Sequence, residues 1–310
     1  MEIYLFGAGA SAAEGAPATH DFLARAWTLL GPAFDERIRA VWRFVETVFR
    51  VPVTGPAAFD FLPAVDEVIS LVDWSLQNNE GLGHLYDLPR LYQVRRDLEH
   101  LLCTTLAAAL ADRPPGAAPG PHHRFARRLA QRSGRYALIS LNYDTLLDGA
   151  LAEAGLAPDY GLGGAPGGGP LLAKLHGSLN WALCPACSHI ELGGGPACVR
   201  CENPRLHGLI ISPTWLKSYR GAHLQQVWDQ ALACLRQAER IVFVGYSMPP
   251  ADIPIYHLLQ RGLLAGPVGH RRPAIHVINH AGHEEAVMAR FARLFGPDIT
   301  FDFNGFYGQV

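Results

Sequence analysis

Four of the six cysteines form two Cys-x-x-Cys pairs, and ten residues separate the pairs: Cys184, Cys187, Cys198 and Cys201. This spacing predicts a zinc ribbon, in which each pair lies on a tight turn and four thiolates surround the metal. Four cysteines leave no open position for water, so the zinc is expected to be structural. His189 and Glu191 lie between the pairs, but the quartet already fills the shell. A nucleic-acid-binding ribbon is an alternative that the absence of Lys and Arg from 188 to 197 disfavours.

A glycine-rich turn follows the first apolar segment of the chain. Residues 2–6 predict a strand, and Gly7, Ala8, Gly9, Ala10 and Ser11 lead from it into a helix. Backbone N–H groups in such a turn can point at an anion, which suits the pyrophosphate of a dinucleotide. Glycine turns also occur for packing alone, so both interpretations stay open. An acid near residue 30, expected on the ribose in dehydrogenases, is missing, which disfavours hydride transfer.

Polar residues follow later apolar segments, where predicted strands end: Asn142, Asp144, His176, Gly245, Ser247 and Asn279. A histidine with a pKa near neutrality can accept a proton as a nucleophile attacks. An asparagine can hold a water or a ribose hydroxyl without adding charge. Purely structural roles are the alternatives, because a histidine can be satisfied at a strand end and Asn or Asp can cap a helix.

The elements that must position these residues alternate along the chain. Predicted strands cover 2–6, 136–141, 171–175, 208–212, 240–244, 274–278 and 299–303, and helical periodicity covers 143–154, 222–238, 252–264 and 283–294. This alternation predicts an α/β fold, namely a Rossmann-like, doubly wound, mostly parallel sheet with helices on both faces.

A long interval without a convincing strand interrupts this alternation. Amphipathic patterns around 21–30, 34–49, 64–77 and 90–111 predict a helical insertion, which the Pro/Gly-rich run 113–121 closes. We therefore expect three parts: a nucleotide-binding domain of residues 1–20 and 133–310, a helical insertion of residues 21–132, and a zinc-ribbon module of residues 181–207. The glycine-rich run 161–169 is expected to be a loop.

Bulk composition excludes some functions. The 310 residues carry a formal net charge of −2 and 49% hydrophobic residues, which describes a globular protein without long-range attraction for nucleic acid. Five arginines between 124 and 135 repeat at helical spacing and are interpreted as a solvated helix face. No secretion signal or apolar run of membrane-spanning length is present, so a cytoplasmic protein is expected.

Taken in order, these motifs resemble the sirtuin superfamily. The resemblance rests on Gly7–Ser11, Asn142-Tyr143-Asp144, Lys174-Leu175-His176-Gly177-Ser178, Gly245-Tyr246-Ser247, Ile278-Asn279 and the four cysteines. It implies that the glycine turn cradles the pyrophosphate of NAD, that Asn142 and Asp144 line the nicotinamide ribose pocket, and that His176 is the general base. It also implies that Gly245, Ser247 and Asn279 hold the phosphate and the adenosine ribose.

The chain departs from protein-deacylating sirtuins in two places. Gly15-Ala16-Pro17 matches the Gly-x-Pro motif and adds Gly15 and Pro17 to the expected NAD-binding residues, but Ala18-Thr19-His20 follows instead of Asp-Phe-Arg. The strand that would pair with an acyl-lysine peptide is replaced by Leu209–Lys217, and Pro213 in it removes a ladder donor. Three stretches, Asn142-Tyr143-Asp144, Ser212–Lys217 and Gly245–Asp252, resemble the sirtuin-like branch of bacterial anti-phage defence proteins, which hydrolyse NAD to nicotinamide and ADP-ribose.

Other functions stay open on the sequence alone. An NAD-dependent protein deacylase or ADP-ribosyltransferase is one alternative, and a sensor that binds NAD or ADP-ribose without chemistry is another. The resemblance also implies a regulator, either a partner such as an ATPase or Argonaute-like subunit or a homo-oligomer. The helical insertion is at least as consistent with a lid or a second packing layer as with an oligomer surface.

Overall fold

The computed structural model describes residues 1–31, 34–52, 55–111, 118–163, 168–193, 195–214, 222–264 and 272–310. The chain divides into two compact units. Unit 1 comprises Met1–Glu14, Ala118–Ile211 and Tyr219–Val310, and unit 2 comprises Gly15–Ala117 and Ser212–Ser218. The domain limits expected from the sequence stay a prediction.

Unit 1 is built on six parallel strands in the order β3-β2-β1-β7-β8-β9. Their bounds are β1 Glu2–Phe6, β2 Tyr136–Ser140, β3 Leu172–Lys174, β7 Arg240–Val244, β8 Ala274–Ile278 and β9 Ile299–Asp302. The predicted fold, a doubly wound parallel sheet with a helical insertion and a cysteine module, is confirmed.

Continuous apolar runs form these strands because both faces of the sheet are covered. Ile3 and Leu5 pack with helices α8 Ala222–Leu235, α9 Ile253–Leu263 and α10 Glu284–Phe295. Tyr4 and Phe6 point the other way and pack with α6 Pro121–Ala130 and α7 Leu146–Glu153. The exposed arginines Arg124, Arg127 and Arg128 lie on the outer side of α6.

Strand β1 lies at the point where the winding of the sheet reverses. The chain runs from β1 through β2 to β3 on one side, and from β7 through β8 to β9 on the other. In open α/β sheets, the carboxyl ends of the strands on either side of such a reversal border a crevice where ligands bind. The fold therefore points to the loops that follow β1 and β7.

A second, three-stranded antiparallel sheet in unit 1 has the order β5-β4-β6. It consists of β4 Gly177–Leu183, β5 Ile190–Leu192 and β6 His207–Ile210. The predicted strand at 208–212 thus belongs to this sheet and not to the parallel one, and β4 and β5 were not predicted. Their short segments surround the cysteines, where a metal can replace a hydrophobic core.

Unit 2 is helical over its described residues, with α2 Phe22–Leu30, α3 Glu36–Phe49, a 3-10 turn at Pro56–Phe61, α4 Val65–Asn78 and α5 Leu88–Ala111. Asp35 starts α3 by accepting a hydrogen bond from the Ile38 amide at 2.8 Å, as an N-cap residue does. The half-exposed Arg37 pairs at 2.8 Å with the buried Asp97, which joins α3 to α5.

Among the described helices of both units, none combines the length and apolarity that a membrane crossing requires.

Candidate active site at the carboxyl edge of the parallel sheet

The short helix α1 Ala8–Ala12 and the loops that carry the other predicted site residues all follow parallel strands. Gly7 follows β1, Asn142 follows β2, His176 follows β3, Gly245 follows β7 and Asn279 follows β8. Since these strands are parallel, all five residues lie at one edge of the sheet.

Asn142 joins the loop after β2 to the glycine turn. Its carboxamide nitrogen donates to the Gly7 carbonyl at 2.9 Å and to the Ser11 hydroxyl oxygen at 2.8 Å. Because the Gly7 carbonyl can only accept, the nitrogen must face it, and this fixes the orientation of the amide. Over the described residues, no group donates to the carboxamide oxygen, which leaves it for a water or a hydroxyl.

His176 is buried at the end of β3, and its environment selects one tautomer. Its Nδ1 lies 2.9 Å from the Leu141 carbonyl, an acceptor, so Nδ1 carries the proton of the neutral ring. The lone pair is then on Nε2, as a general base requires. The ring of Tyr143 lies beside the imidazole, with centroids 6.1 Å apart.

Close packing between the turn after β1 and the turn after β7 explains the glycines of both turns. The Gly7 amide donates to the Val244 carbonyl at 2.9 Å, and the Gly9 amide donates to the Gly245 carbonyl at 2.8 Å. A Cβ on Gly245, whose φ is +62°, would lie 2.0 Å from the Ala10 nitrogen. Two amides expected to face an anion are therefore used by the protein itself.

Other polar groups of this turn keep hydrogen-bonding capacity. Ser11 is buried and accepts from Asn142, so its own hydroxyl proton must point elsewhere. Over the described chain, neither that proton nor the Ala8 amide finds an acceptor. Two donors thus stand close together beside the point where the sheet reverses, and an anionic oxygen would satisfy both.

The loops after β7 and β8 are tied to each other. The buried Asn279 donates from its carboxamide to the Tyr246 carbonyl at 3.3 Å and accepts from the His280 amide at 3.0 Å. Ser247 is exposed, and its carbonyl accepts from Arg290 at 2.9 Å. The structure brings Gly245 next to the glycine turn and Asn279 next to Tyr246, whereas the Ser247 side chain makes no hydrogen bond with the described residues.

Asp144 has a structural role that the sequence allowed for. Its carboxylate accepts from the Leu146 amide at the start of α7 at 3.1 Å, and the side chain is buried. Its carbonyl accepts from the Nζ of Lys174. Asp144 therefore stabilises the turn that leads into α7 and anchors the Asn142–Asp144 segment, and a ligand role for it stays a prediction.

Some predicted residues fall outside this constellation. Gly15 and Pro17 belong to unit 2, where Gly15 has a φ of +96° and nothing within 4 Å of the place of a Cβ. Their expected part in binding NAD stays a prediction. Trp215 and Lys217, which contributed to the resemblance with defence proteins, lie outside the described residues.

Residues that the sequence did not single out also border the site. The imidazole Nε2 of His280 lies 3.2 Å from the Gly9 carbonyl, and Gly305 packs against the same ring. The Tyr143 hydroxyl donates to the Ile211 carbonyl at 2.6 Å. The available signal was that Tyr143 lies inside the motif Asn142-Tyr143-Asp144 and that His280 directly follows Asn279.

The four cysteines come together as predicted. Their sulfurs all lie within 4.8 Å of one another, with Cys184 and Cys201 at 3.5 Å and Cys187 and Cys198 at 3.5 Å. A tetrahedral zinc with bonds of about 2.3 Å needs sulfurs roughly 3.8 Å apart, so the quartet fits this ion. The zinc site is closed by four thiolates, as a structural site is.

Two features of the cluster favour metal binding. Burial raises the pKa of the Cys184 thiol, but hydrogen bonds from the amides of Cys187 and Ala186 and from neighbouring thiols outweigh this and lower the pKa to about 6. Burial and the neighbouring thiols instead raise the pKa of Cys198 to about 12, so Cys184 loses its proton more readily than Cys198. The buried Glu191 is not a ligand; its carboxylate accepts from the Val199 amide at 2.6 Å and so holds the turn that carries Cys198.

No protein-family model matches this sequence, and no curated protein matches it. Among solved structures, the chain is similar to Sir2 proteins. A Sir2 protein bound to an acetylated peptide is 14% identical, with 100% of this chain and 89% of that chain covered and a TM-score of 0.46. A Sir2 homologue in complex with NAD is 17% identical, with 99% and 85% covered and a TM-score of 0.42. At these values the similarity assigns neither a ligand nor a residue role to this chain.

Proposed function

We propose that this protein hydrolyses NAD to nicotinamide and ADP-ribose at the edge of the parallel sheet. The observation that carries the proposal is the tautomer of His176: its Nδ1 donates to the Leu141 carbonyl, which leaves Nε2 as a base. The loop after β2, which contains Leu141, also carries Asn142. The carboxamide nitrogen of Asn142 contacts the glycine turn, and its carboxamide oxygen receives no hydrogen bond from the described residues. A proton acceptor and a holder for a small nucleophile therefore stand at one edge.

The polar groups fit the parts of NAD. The Ser11 hydroxyl and the Ala8 amide have donors to offer to the pyrophosphate, and the switch-point crevice is where a dinucleotide binds in such sheets. Gly245 and Asn279 lie in the neighbouring loops after β7 and β8. The resemblance to sirtuins implies that they hold the phosphate and the adenosine ribose. Gly15, Pro17 and Ser247 belong to the proposed set by the same resemblance.

The reaction balances with water as the only co-reactant. Water forms a bond to the anomeric carbon of the nicotinamide ribose as the bond from that carbon to the nicotinamide nitrogen breaks. The electron pair of the broken bond leaves with the nicotinamide, which becomes neutral. The Asn142 oxygen orients the water, and Nε2 of His176 takes its proton. Positioned proton transfer of this kind contributes about 100-fold to 10,000-fold in rate.

Contacts after β6 favour water over a peptide as the acceptor. The Ile211 amide donates to the His176 carbonyl at 2.8 Å, and the Ile211 carbonyl accepts from the Tyr143 hydroxyl. Both main-chain groups of Ile211 are therefore used within the protein, and Pro213 has no amide hydrogen to offer. An acyl-lysine peptide would find few partners for strand pairing beside His176.

The biological setting that we propose is bacterial anti-phage defence. A hydrolase that depletes NAD harms its host unless it is silent until infection, so a regulatory partner or a homo-oligomer is part of the proposal, as is a cytoplasmic location. The helical insertion of residues 21–132 is the part we assign to this regulation. The division into nucleotide-binding domain, insertion and zinc module is proposed with it.

A product assay tests the proposed activity. Purified protein is mixed with NAD, and nicotinamide and ADP-ribose are followed for wild type, His176→Ala, Asn142→Ala and the control His84→Ala, an exposed histidine of unit 2. We expect equal amounts of both products from wild type and control, and at least a 100-fold loss in the other two. Release of O-acetyl-ADP-ribose from an acetylated peptide, or transfer of label to protein, would instead identify a deacylase or transferase. Binding of NAD without any product, unchanged in His176→Ala, would identify a sensor.

A further inference from the structure

Lys174, the last residue of β3, is fully buried. Lysine is almost never fully buried unless its charge is paired, because removing an ammonium group from water is costly. The remainder of β3 is apolar, with Leu172 and Ala173 also buried. An apolar side chain would satisfy the packing of this strand, so the buried charge calls for another explanation.

The charge is paired with one acid of α7. The Nζ of Lys174 lies 3.0 Å from Oδ2 and 3.3 Å from Oδ1 of Asp148, whose side chain is also buried. The Tyr160 hydroxyl donates to the same carboxylate at 2.7 Å. Burial and the Asp148 carboxylate raise the pKa of Tyr160, so this hydroxyl keeps its proton. The pair is thus neutral as a whole and well provided with hydrogen bonds.

The same ammonium group also reaches the site. It donates to the main-chain carbonyl of Asp144, at the end of the loop that carries Asn142. The start of this loop is held by the Leu141 carbonyl, which accepts from His176. Its middle is held by the Tyr143 carbonyl, which accepts from the Leu179 amide at 2.9 Å. Lys174 supplies the corresponding bond at the far end.

We propose that Lys174 is a positioning residue: its ammonium group, held by Asp148, fixes the Asp144 carbonyl and thereby sets the Asn142–Asp144 segment relative to His176. The inference rests on the proposed function, because the segment matters for catalysis only if Asn142 orients the nucleophile. Lys174 itself touches neither substrate nor a reacting atom. Displacing a catalytic group by about 1 Å can cost roughly 100-fold in rate, which is the scale of effect expected.

A pair of variants separates this role from simple stabilisation. Lys174→Met removes the ammonium group and leaves Asp148 as an unpaired buried charge, which lowers Tm by roughly 10 °C. The double variant Lys174→Met with Asp148→Asn removes both charges and keeps an acceptor for Tyr160. Its Tm should return most of the way to that of wild type. Neither variant restores a donor to the Asp144 carbonyl.

The kinetic readout is the kcat and KM for NAD of the full-length double variant. A positioning role predicts a kcat about 10-fold to 100-fold below wild type, with KM changed by less than about threefold. Asp148→Asn alone retains Lys174 as a donor to Asp144 but leaves its buried charge unpaired, so its Tm should fall while its kcat stays above that of the double variant. Recovery of kcat together with Tm in the double variant would overturn the proposal.

Amide hydrogen exchange gives a readout that does not depend on activity. In the double variant we expect faster exchange for a peptide covering residues 141–147 and unchanged exchange for residues 136–140 of β2, which lie outside the loop. Unchanged exchange at 141–147 would contradict the proposal even if the enzyme lost activity. If wild type hydrolysed no NAD, the proposed function would fail by that result alone, while the exchange experiment would still decide whether Lys174 fixes the loop.

Discussion

The two polar atoms of the Asn142 carboxamide differ in their hydrogen bonding. The nitrogen is used twice, on Gly7 and on Ser11, whereas the oxygen receives no bond from the described residues. Ser11 is similar, since its oxygen accepts from Asn142 and its proton has no acceptor there. A single hydrogen bond between two side chains therefore leaves one polar group of each for another partner, as the proposed binding of NAD requires.

His276 gives a residue-scale prediction about pH, far from the carboxyl edge. Burial lowers its pKa below the ordinary value of 6.5, and the neighbouring Arg240 lowers it further. Arg240 donates to Nδ1 of His276 at 3.0 Å, so that nitrogen must be unprotonated in the folded protein. Below pH 6.5 the unfolded chain binds a proton that the folded protein resists, so stability falls as pH decreases.

Denaturant unfolding at pH values between 5 and 8 measures this effect. The free energy of unfolding of wild type should decrease below about pH 6.5, in addition to any decrease shared by all variants. His276→Gln, which cannot be protonated but can accept from Arg240, should show less of this decrease. Equal pH dependence in the two proteins would contradict the role assigned to His276.

At the scale of elements, replacing two different glycines by alanine should change stability in opposite directions. Gly245 lies in the contact between two turns, whereas Gly149 lies in a helix with open space around it. Gly245→Ala places a Cβ 2.0 Å from the Ala10 nitrogen and forces a φ of +62° on alanine. We expect a loss of about 2 kcal/mol or more and weaker binding of ADP-ribose. Gly149→Ala, on the exposed side of α7 with open space around it, should stabilise the protein by about 0.5–1 kcal/mol.

Thermal or urea unfolding of both variants, with calorimetry for ADP-ribose, distinguishes these outcomes. The shared substitution controls for the change in chain entropy, because both variants gain the same methyl group. A Gly245→Ala protein as stable as Gly149→Ala would show that the turns do not need their close approach.

The zinc module gives a second prediction at this scale. Glu191 contacts Val199 next to Cys198 and is expected to hold the second cysteine pair in place for the metal. Glu191→Ala, which removes the acceptor for the Val199 amide, should weaken zinc binding by about 10-fold to 100-fold, as removing outer-shell partners does. Competition with a chromophoric chelator measures the affinity. Glu202→Ala, at an exposed acid beside Cys201, is the control and should bind zinc like wild type.

For the whole molecule, apolar runs were enough to predict the parallel sheet, because strands buried on both faces read as uninterrupted hydrophobic segments. The strands β4 and β5 were missed because residues such as Asn180 and Glu191 interrupt their pattern and cysteines replace the core. Sequence patterns placed Asn142 and His176 at strand ends. They could not show that the Gly9 amide donates to the Gly245 carbonyl, or that Lys174 donates to the Asp144 carbonyl. Both contacts join residues that are distant in sequence.

Strand β1 precedes the helical residues of unit 2 in the chain, whereas its two partner strands, β2 and β7, follow them. The chain leaves unit 1 after Glu14, and when it returns, the His122 amide and ring both bond to the Glu14 carboxylate, at 3.0 and 2.6 Å. A protein expressed as two fragments, 1–111 and 118–310, would carry Gly7 and Ser11 on one piece and Asn142 and His176 on the other. Because β1 pairs with both β2 and β7, the first fragment supplies the middle of the sheet. Neither fragment alone should bind ADP-ribose, and mixing them should restore binding, which would make this fold a split reporter whose two halves meet at the site itself.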